Sequence, residues 1–203
     1  LAPEHKFPAA PEDCYYITQY LMTHAHHLDI DPERLVLAGD SAGGDLAAAA
    51  SLMSRDRNAP IPCKQILLYP ATSGDHGPQS PYPSVHTNGD GYVLTRERIE
   101  GYTELYQRTP EDRNNPYFAP IQASDLSNQP ETLIITAEFD PLRDEGKAYA
   151  DRLQQAGNYT EYHCMQDALH GFMSNGLFTK QIRKTHQIIN TFLAREPVKS
   201  SAT

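Results

Sequence analysis

No stretch of this 203-residue sequence approaches the roughly 20 consecutive apolar residues that a membrane-spanning helix needs. Lysine and arginine nowhere form a run, and 17 basic residues stand against 26 acidic ones, a formal net charge of -9. A groove for DNA or RNA needs clustered cations to neutralise phosphates, so nucleic acid is excluded as a partner, and an anionic membrane surface is disfavoured on the same ground. Cysteine occurs only three times, at Cys14, Cys63 and Cys164. The count is odd, the spacings are wide, and no C-x-x-C pair exists to hold a metal or a redox disulfide. Three free thiols fit a reducing, cytoplasmic compartment. Internal repeats, low-complexity tracts, linkers and a signal-peptide pattern are also missing. With 39% apolar residues, the chain is long enough to bury the core of a single domain.

What is present alternates. Short apolar runs at Leu35–Ala38, Gln65–Tyr69 and Thr132–Ala137 predict central parallel strands buried on both faces. A fourth, Glu161–Met165, is more polar and predicts a short strand near a sheet edge. Between and around them lie helical stretches: Pro8 to about His27, Ala42 to about Arg55, Thr95 to about Gln107, Asp144 to about Ala156 and Phe178 to about Ala194, the last ending before Pro197. Thr95 is placed as an N-cap and Gly157 as a C′ residue. This order predicts an α/β fold with a mostly parallel sheet and helices on both faces. Residues 70–95 form a Pro- and Gly-rich excursion after a strand's C-terminal end, where open α/β sheets bind ligands.

Gly39-Asp40-Ser41-Ala42-Gly43 matches G-x-S-x-G. The pentapeptide gains weight from its context: an apolar run leads in and an Ala-rich helical stretch leads out, the strand–turn–helix of a nucleophile elbow. A sharp turn there requires small neighbours, and Gly39 and Gly43 are read as supplying the space. The backbone N–H of Ala42, at the start of the helix, is a candidate oxyanion donor.

A serine hydroxyl is a poor nucleophile without a base. In this fold the acid and base follow the serine in that order. Asp140 stands just beyond the strand at 132–137 and before Pro141, the position of an orienting carboxylate; Glu138 is its rival, and Asp144 is better placed to cap the next helix. Of nine histidines, His170 alone combines the right order with a loop position, after a short connection at Gln166–Leu169. His24, His26 and His27 lie on the first helix, His76 and His86 in the long loop, and His163 inside a strand. The expected chemistry is acyl transfer with Ser41 as nucleophile, Asp140 as acid partner and His170 as general base. No metal or other cofactor is expected.

Four ordered segments, GDSAGGDLAAAA, LAPEHKFPAAPED, DPLRDEG with KAYADRLQQAG, and ALHGF, resemble the hormone-sensitive lipase family of carboxylesterases, in its GDSAG branch. The resemblance runs from Leu1 to about Leu193. It implies an α/β-hydrolase fold and cofactor-free hydrolysis of small carboxylic esters of short to medium acyl chains. It places nucleophile, acid and base on Ser41, Asp140 and His170. Asp45 stands where such proteins usually carry Asn. The resemblance further implies a His-Gly-Gly-Gly segment, early strands and cap helices ahead of Leu1, so residues 1–203 are expected to be one catalytic domain truncated at its N-terminus, with a sheet edge left bare. Leu142, Phe172 and residues around Tyr69–Thr72 are expected to line the remaining pocket. Amide or lactone hydrolysis, acyl transfer to an alcohol, and ligand binding without catalysis are the alternatives on the same fold. Oligomeric state is not readable from the sequence.

Overall fold

The computed structural model describes residues 1–196. Four strands, β1 (Val36–Asp40), β2 (Lys64–Leu68), β3 (Glu131–Phe139) and β4 (Thr160–Leu169), form one sheet in the order β1-β2-β3-β4, every pair parallel. Side chains alternate across it. Leu67 and Ile134 point to a cluster with Ala47, Leu52, Tyr149 and Leu153; Ile66, Leu133 and Ile135 point the opposite way, to Met165, Phe172 and Phe192. The first cluster is covered by α2 (Ala42–Asp56) and α5 (Arg143–Gln155), the second by α6 (Thr179–Ala194). That explains why the apolar runs of β2 and β3 are continuous rather than alternating: both faces are buried. Each fully buried Leu or Ile contributes about 1.5–3 kcal/mol, so the two clusters hold the layers together.

α2 approaches the sheet closely because its inner surface is alanine: Ala47 to Ala50 are all buried. α1 (Ala9–Thr23) lies against α2. Residues 70–95 are not loop throughout: they hold a short helix, α3 (Pro83–Thr87), and lead into α4 (Arg96–Tyr106). Thr95 caps α4 as predicted, its side chain accepting from Arg98 N at 3.3 Å. Gly157 takes φ +87° beyond the end of α5.

Three expectations are corrected. β4 is not short: it runs ten residues to Leu169, across an irregularity opposite Ala137–Phe139, so no loop at 166–169 separates the strand from His170. Its polar side chains are those of a strand covered less completely than β3, and among the described residues it does lie at an edge. β1 is not central among the described residues; its only neighbour is β2, and its residues are half-buried or exposed. Asp144 does not cap α5. The helix begins at Arg143, and the Asp144 carboxylate instead accepts from Ser84 N at 2.7 Å, fastening α3 to α5. Pro197, placed as the stop of the last helix, lies outside the described residues.

Candidate active site

All four strands point their C-terminal ends the same way, and three of those ends deliver the side chains singled out in the sequence. Ser41 follows β1 directly and precedes α2. It has φ 54° and ψ -120°, a conformation costly for any residue with a Cβ. Its N–H donates to Leu68 O at 2.9 Å, and its carbonyl accepts from Gly44 N at 3.0 Å and Asp45 N at 3.2 Å, so strand and helix grip the turn from both sides. The space comes from Gly39 and Gly44, which corrects the role given to Gly43. A Cβ on Gly39 would stand 2.1 Å from Gly43 O, and one on Gly44 2.8 Å from Pro70 Cβ; a Cβ on Gly43 would meet nothing within 4 Å. Ala42 opens α2, where first-turn N–H groups have no intrahelical acceptor.

Asp140 follows β3 and is fully buried. A buried carboxylate needs donors. Oδ1 accepts from Leu142 N at 2.9 Å, and Oδ2 lies 2.7 Å from His170 Nδ1. The loop is pinned by Asn88, buried at the end of α3, whose Nδ2 donates to Glu138 O at 3.1 Å and Asp140 O at 3.3 Å. Asn88 was not singled out in the sequence, since 52 residues separate it from Asp140 and no motif contains it. Glu138, the rival acid, accepts from Asp167 N at 2.8 Å.

His170 follows β4, and Gly171, at φ +74°, turns the chain away behind it. Its Nε2 lies 2.9 Å from Ser41 Oγ. A carboxylate only accepts, so the proton belongs on Nδ1 and Nε2 is left to accept from the Ser41 hydroxyl. The ring rests edge-on against Tyr69 at 5.0 Å, and Tyr69 in turn rests on Phe172 at 5.5 Å. Three elements more than 29 residues apart in sequence thus meet in one hydrogen-bonded row, Asp140–His170–Ser41.

The row opens on a cavity of about 480 Å³ lined by Ser41, Ala42, His170 and Leu142, with Ala71, Ser73 and Val93 from the long loop. Phe172 is corrected: it is fully buried, packed with Tyr69 in the core beneath the histidine, and is not among the residues lining the cavity.

Residues 1–174 match the family described as the α/β hydrolase fold. The chain belongs to that family. Among curated α/β-hydrolase relatives, an ethyl acetate hydrolase of Pseudomonas putida is 37% identical over 177 residues, covering 87% of this chain and 54% of that protein. An arylesterase of Saccharolobus solfataricus is 36% identical over 183 residues, covering 90% and 58%. Among solved structures, a hyperthermophilic esterase from Pyrobaculum calidifontis superposes with a TM-score of 0.89 at 37% identity, covering 95% of this chain and 63% of that one. The chain therefore spans a little over half the length of these curated relatives. These matches agree with the resemblance to esterases of the hormone-sensitive lipase type.

A second buried polar group of this α/β-hydrolase chain was missed in the sequence. Glu145, fully buried at the start of α5, accepts from Thr72 N at 2.7 Å and Ser73 N at 3.0 Å through Oε1. Its Oε2 lies 2.7 Å from His76 Nε2. Burial alone would lower the His76 pKa, but the Glu145 charge and hydrogen bond more than offset that and raise it. The pair ties the long loop to α5 beside the cavity. Sixty-nine residues separate the partners, so no spacing could have announced it. Among the described residues, no group of three or more His, Cys, Asp or Glu could hold a metal ion, and no helix is long and apolar enough to cross a membrane.

Proposed function

We propose that the protein is a carboxylic ester hydrolase that works through an acyl-enzyme on Ser41. The observation that carries this reading is the continuous row from Asp140 through His170 to Ser41 Oγ. In the first step His170 Nε2 takes the hydroxyl proton as Ser41 Oγ attacks the ester carbonyl. Asp140 holds the tautomer and stabilises the imidazolium that forms. The Ala42 N–H donates to the oxyanion, an interaction whose removal commonly costs about 3 kcal/mol of transition-state stabilisation. His170 then returns the proton to the leaving alcohol. In the second step it draws a proton from water, which attacks the acyl-enzyme and frees the acid and Ser41.

The names of the relatives, an ethyl acetate hydrolase and an arylesterase, support small esters as substrates. The cavity volume of about 480 Å³ agrees with short to medium acyl chains. Leu142 supplies apolar wall to the same cavity as Ser41 and His170.

The test is covalent labelling by a fluorophosphonate, run beside hydrolysis of 4-nitrophenyl acetate and butanoate. Ser41 is expected to be labelled and both esters cleaved, with Ser41→Ala abolishing labelling and lowering turnover by about three orders of magnitude or more. Labelling that survives in Ser41→Ala would overturn the assignment of the nucleophile.

A further inference from the structure

Tyr69 is fully buried and is not among the residues lining the cavity that holds Ser41, which corrects the expectation that it lines the pocket. Its place is behind the histidine. It follows β2 directly and takes φ 37°, a left-handed conformation that bulky side chains rarely adopt. Such a residue persists only where its surroundings over-determine it, and these outliers gather at functional sites. Here the grip comes from both ends. The backbone N–H donates to Ile135 O at 2.6 Å, and the ring packs on Phe172 at 5.5 Å. Oη donates to Asp40 Oδ2 at 3.3 Å, and the Met173 backbone N–H donates to the same oxygen. Burial first and the Asp40 charge second push the hydroxyl pKa up, so it stays a donor. Asp40 immediately precedes the serine, and Met173 follows the histidine by three residues. One hydroxyl thus ties the serine turn to the histidine segment. The ring that carries it meets the imidazole edge-on, with centroids 5.0 Å apart and planes at 65°.

Two hydrogen bonds hold the His170 ring, Nδ1 to Asp140 Oδ2 at 2.7 Å and Nε2 to Ser41 Oγ at 2.9 Å. Two points fix a line and leave the ring free to swing about it. A third contact off that line sets the plane, and Tyr69 supplies one. The need is greatest once an acyl-enzyme has formed. Ser41 Oγ then carries the acyl group and has no proton to donate, while a neutral Nε2 can only accept. One of the two hydrogen bonds is therefore lost. Nε2 must aim at an incoming water with only Asp140 and Tyr69 left of these three partners, and a base displaced by a fraction of an ångström loses much of its rate.

We infer that Tyr69 is a positioning residue for His170, acting chiefly in the second half of the reaction. Its ring holds the imidazole plane while the acyl group occupies Oγ, and its hydroxyl, fastened to Asp40 and Met173, holds the ring. The signature is kinetic: loss of Tyr69 slows deacylation more than acylation. A residue that only fills the core would weaken the fold and lower both steps alike. The inference rests on the acyl-enzyme reading of Ser41, and its test is built so that the two can fail separately.

The experiment follows 4-nitrophenyl acetate hydrolysis by wild type, Tyr69→Phe and Tyr69→Leu, with acid quenching and intact mass measurement of the acylated fraction at saturating ester. The acylation step is read from kcat/KM, and kcat divided by the acylated fraction gives the deacylation rate constant. Tyr69→Leu is expected to lower deacylation by about tenfold or more and kcat/KM by less than about threefold. Tyr69→Phe keeps the ring in its place and loses only the hydroxyl. It is expected to lower deacylation by about threefold or more and kcat/KM by less than about 1.5-fold. Because this variant retains the core packing, it decides the matter even where Tyr69→Leu does not fold. A deacylation constant in Tyr69→Phe that falls no further than kcat/KM, or no acyl-enzyme trapped in either variant, would overturn the positioning role. Wild type that shows neither turnover nor fluorophosphonate labelling would overturn the esterase reading instead. Positioning is then decided without turnover by the ring ¹⁵N signals of His170, assigned by their loss in His170→Gln. Ser41→Ala removes the Oγ partner as acylation does. Broader His170 signals in Ser41→Ala/Tyr69→Phe than in Ser41→Ala support the role, and equal widths overturn it.

Discussion

At Asp45, burial first and the neighbouring Glu145 carboxylate second push the carboxyl pKa well above its ordinary value. The sign of the consequence follows from linkage. An acid whose folded pKa is raised costs nothing below its unfolded pKa. As pH climbs from there to the folded value, its contribution to stability is progressively lost. Asn has nearly the same shape and does not ionise. Asp45→Asn is therefore expected to melt with wild type at pH 4 and several degrees above it at pH 8, at about 2–4 °C for each kcal/mol recovered in a chain of this size. Thermal melts across that range decide the matter, and parallel curves for the two proteins would remove Asp45 as the titrating group. The same substitution restores the residue that esterases resembling this chain usually carry, so the acid here stands out as a departure with a measurable cost.

The meeting of β1 and α2 depends on two missing side chains rather than on any attraction. Gly39 and Gly44 allow close approach, whereas Gly43 faces open space although it completes the G-x-S-x-G pattern. Gly39→Ala is expected to destabilise the chain by about 3 kcal/mol or more, because its Cβ would meet backbone that cannot move aside. Gly43→Ala is expected to change stability by less than about 1 kcal/mol, in the stabilising direction, since alanine is the better helix former. Chemical denaturation of the two variants checks this contrast, and equal losses would contradict it. The same contrast shows what sequence pattern conveys. β1, β2, β3 and the five longer helices were legible because their apolar runs and breaker residues are local signals, and Ser41, Asp140 and His170 were singled out by the G-x-S-x-G motif and by their order along the chain. β4 was underestimated because its later half, Gln166–Leu169, is polar enough to pass for a loop. Asn88, Glu145 and His76 were illegible because these partners are 50 to 73 residues distant and only the fold brings them together. Phe172 was misplaced because nearness to His170 in sequence does not reveal that its ring turns into the core.

The molecule carries a formal charge of -9 and, among the described residues, a parallel sheet whose β1 edge has no partner. An open strand edge is a template for pairing with another chain, and like net charge opposes the approach. Salt shortens the reach of that repulsion, from about 30 Å at 0.01 M to about 10 Å at 0.1 M. Sedimentation velocity is therefore expected to show this chain as monomer at low salt and increasingly as larger species when salt is added. One unchanged species throughout would mean that the edge is covered in solution. Ser41 joins these scales. Its φ of 54° is a conformation only glycine adopts without strain, and the rest of the structure holds it there. Ser41→Gly is expected to raise the unfolding free energy by about 1 kcal/mol while ending fluorophosphonate labelling, and a less stable glycine variant would count against strain at this turn. A population of variants screened only for heat resistance would then drift toward glycine at this position and lose its chemistry. Durability and reactivity pull the same codon in opposite directions.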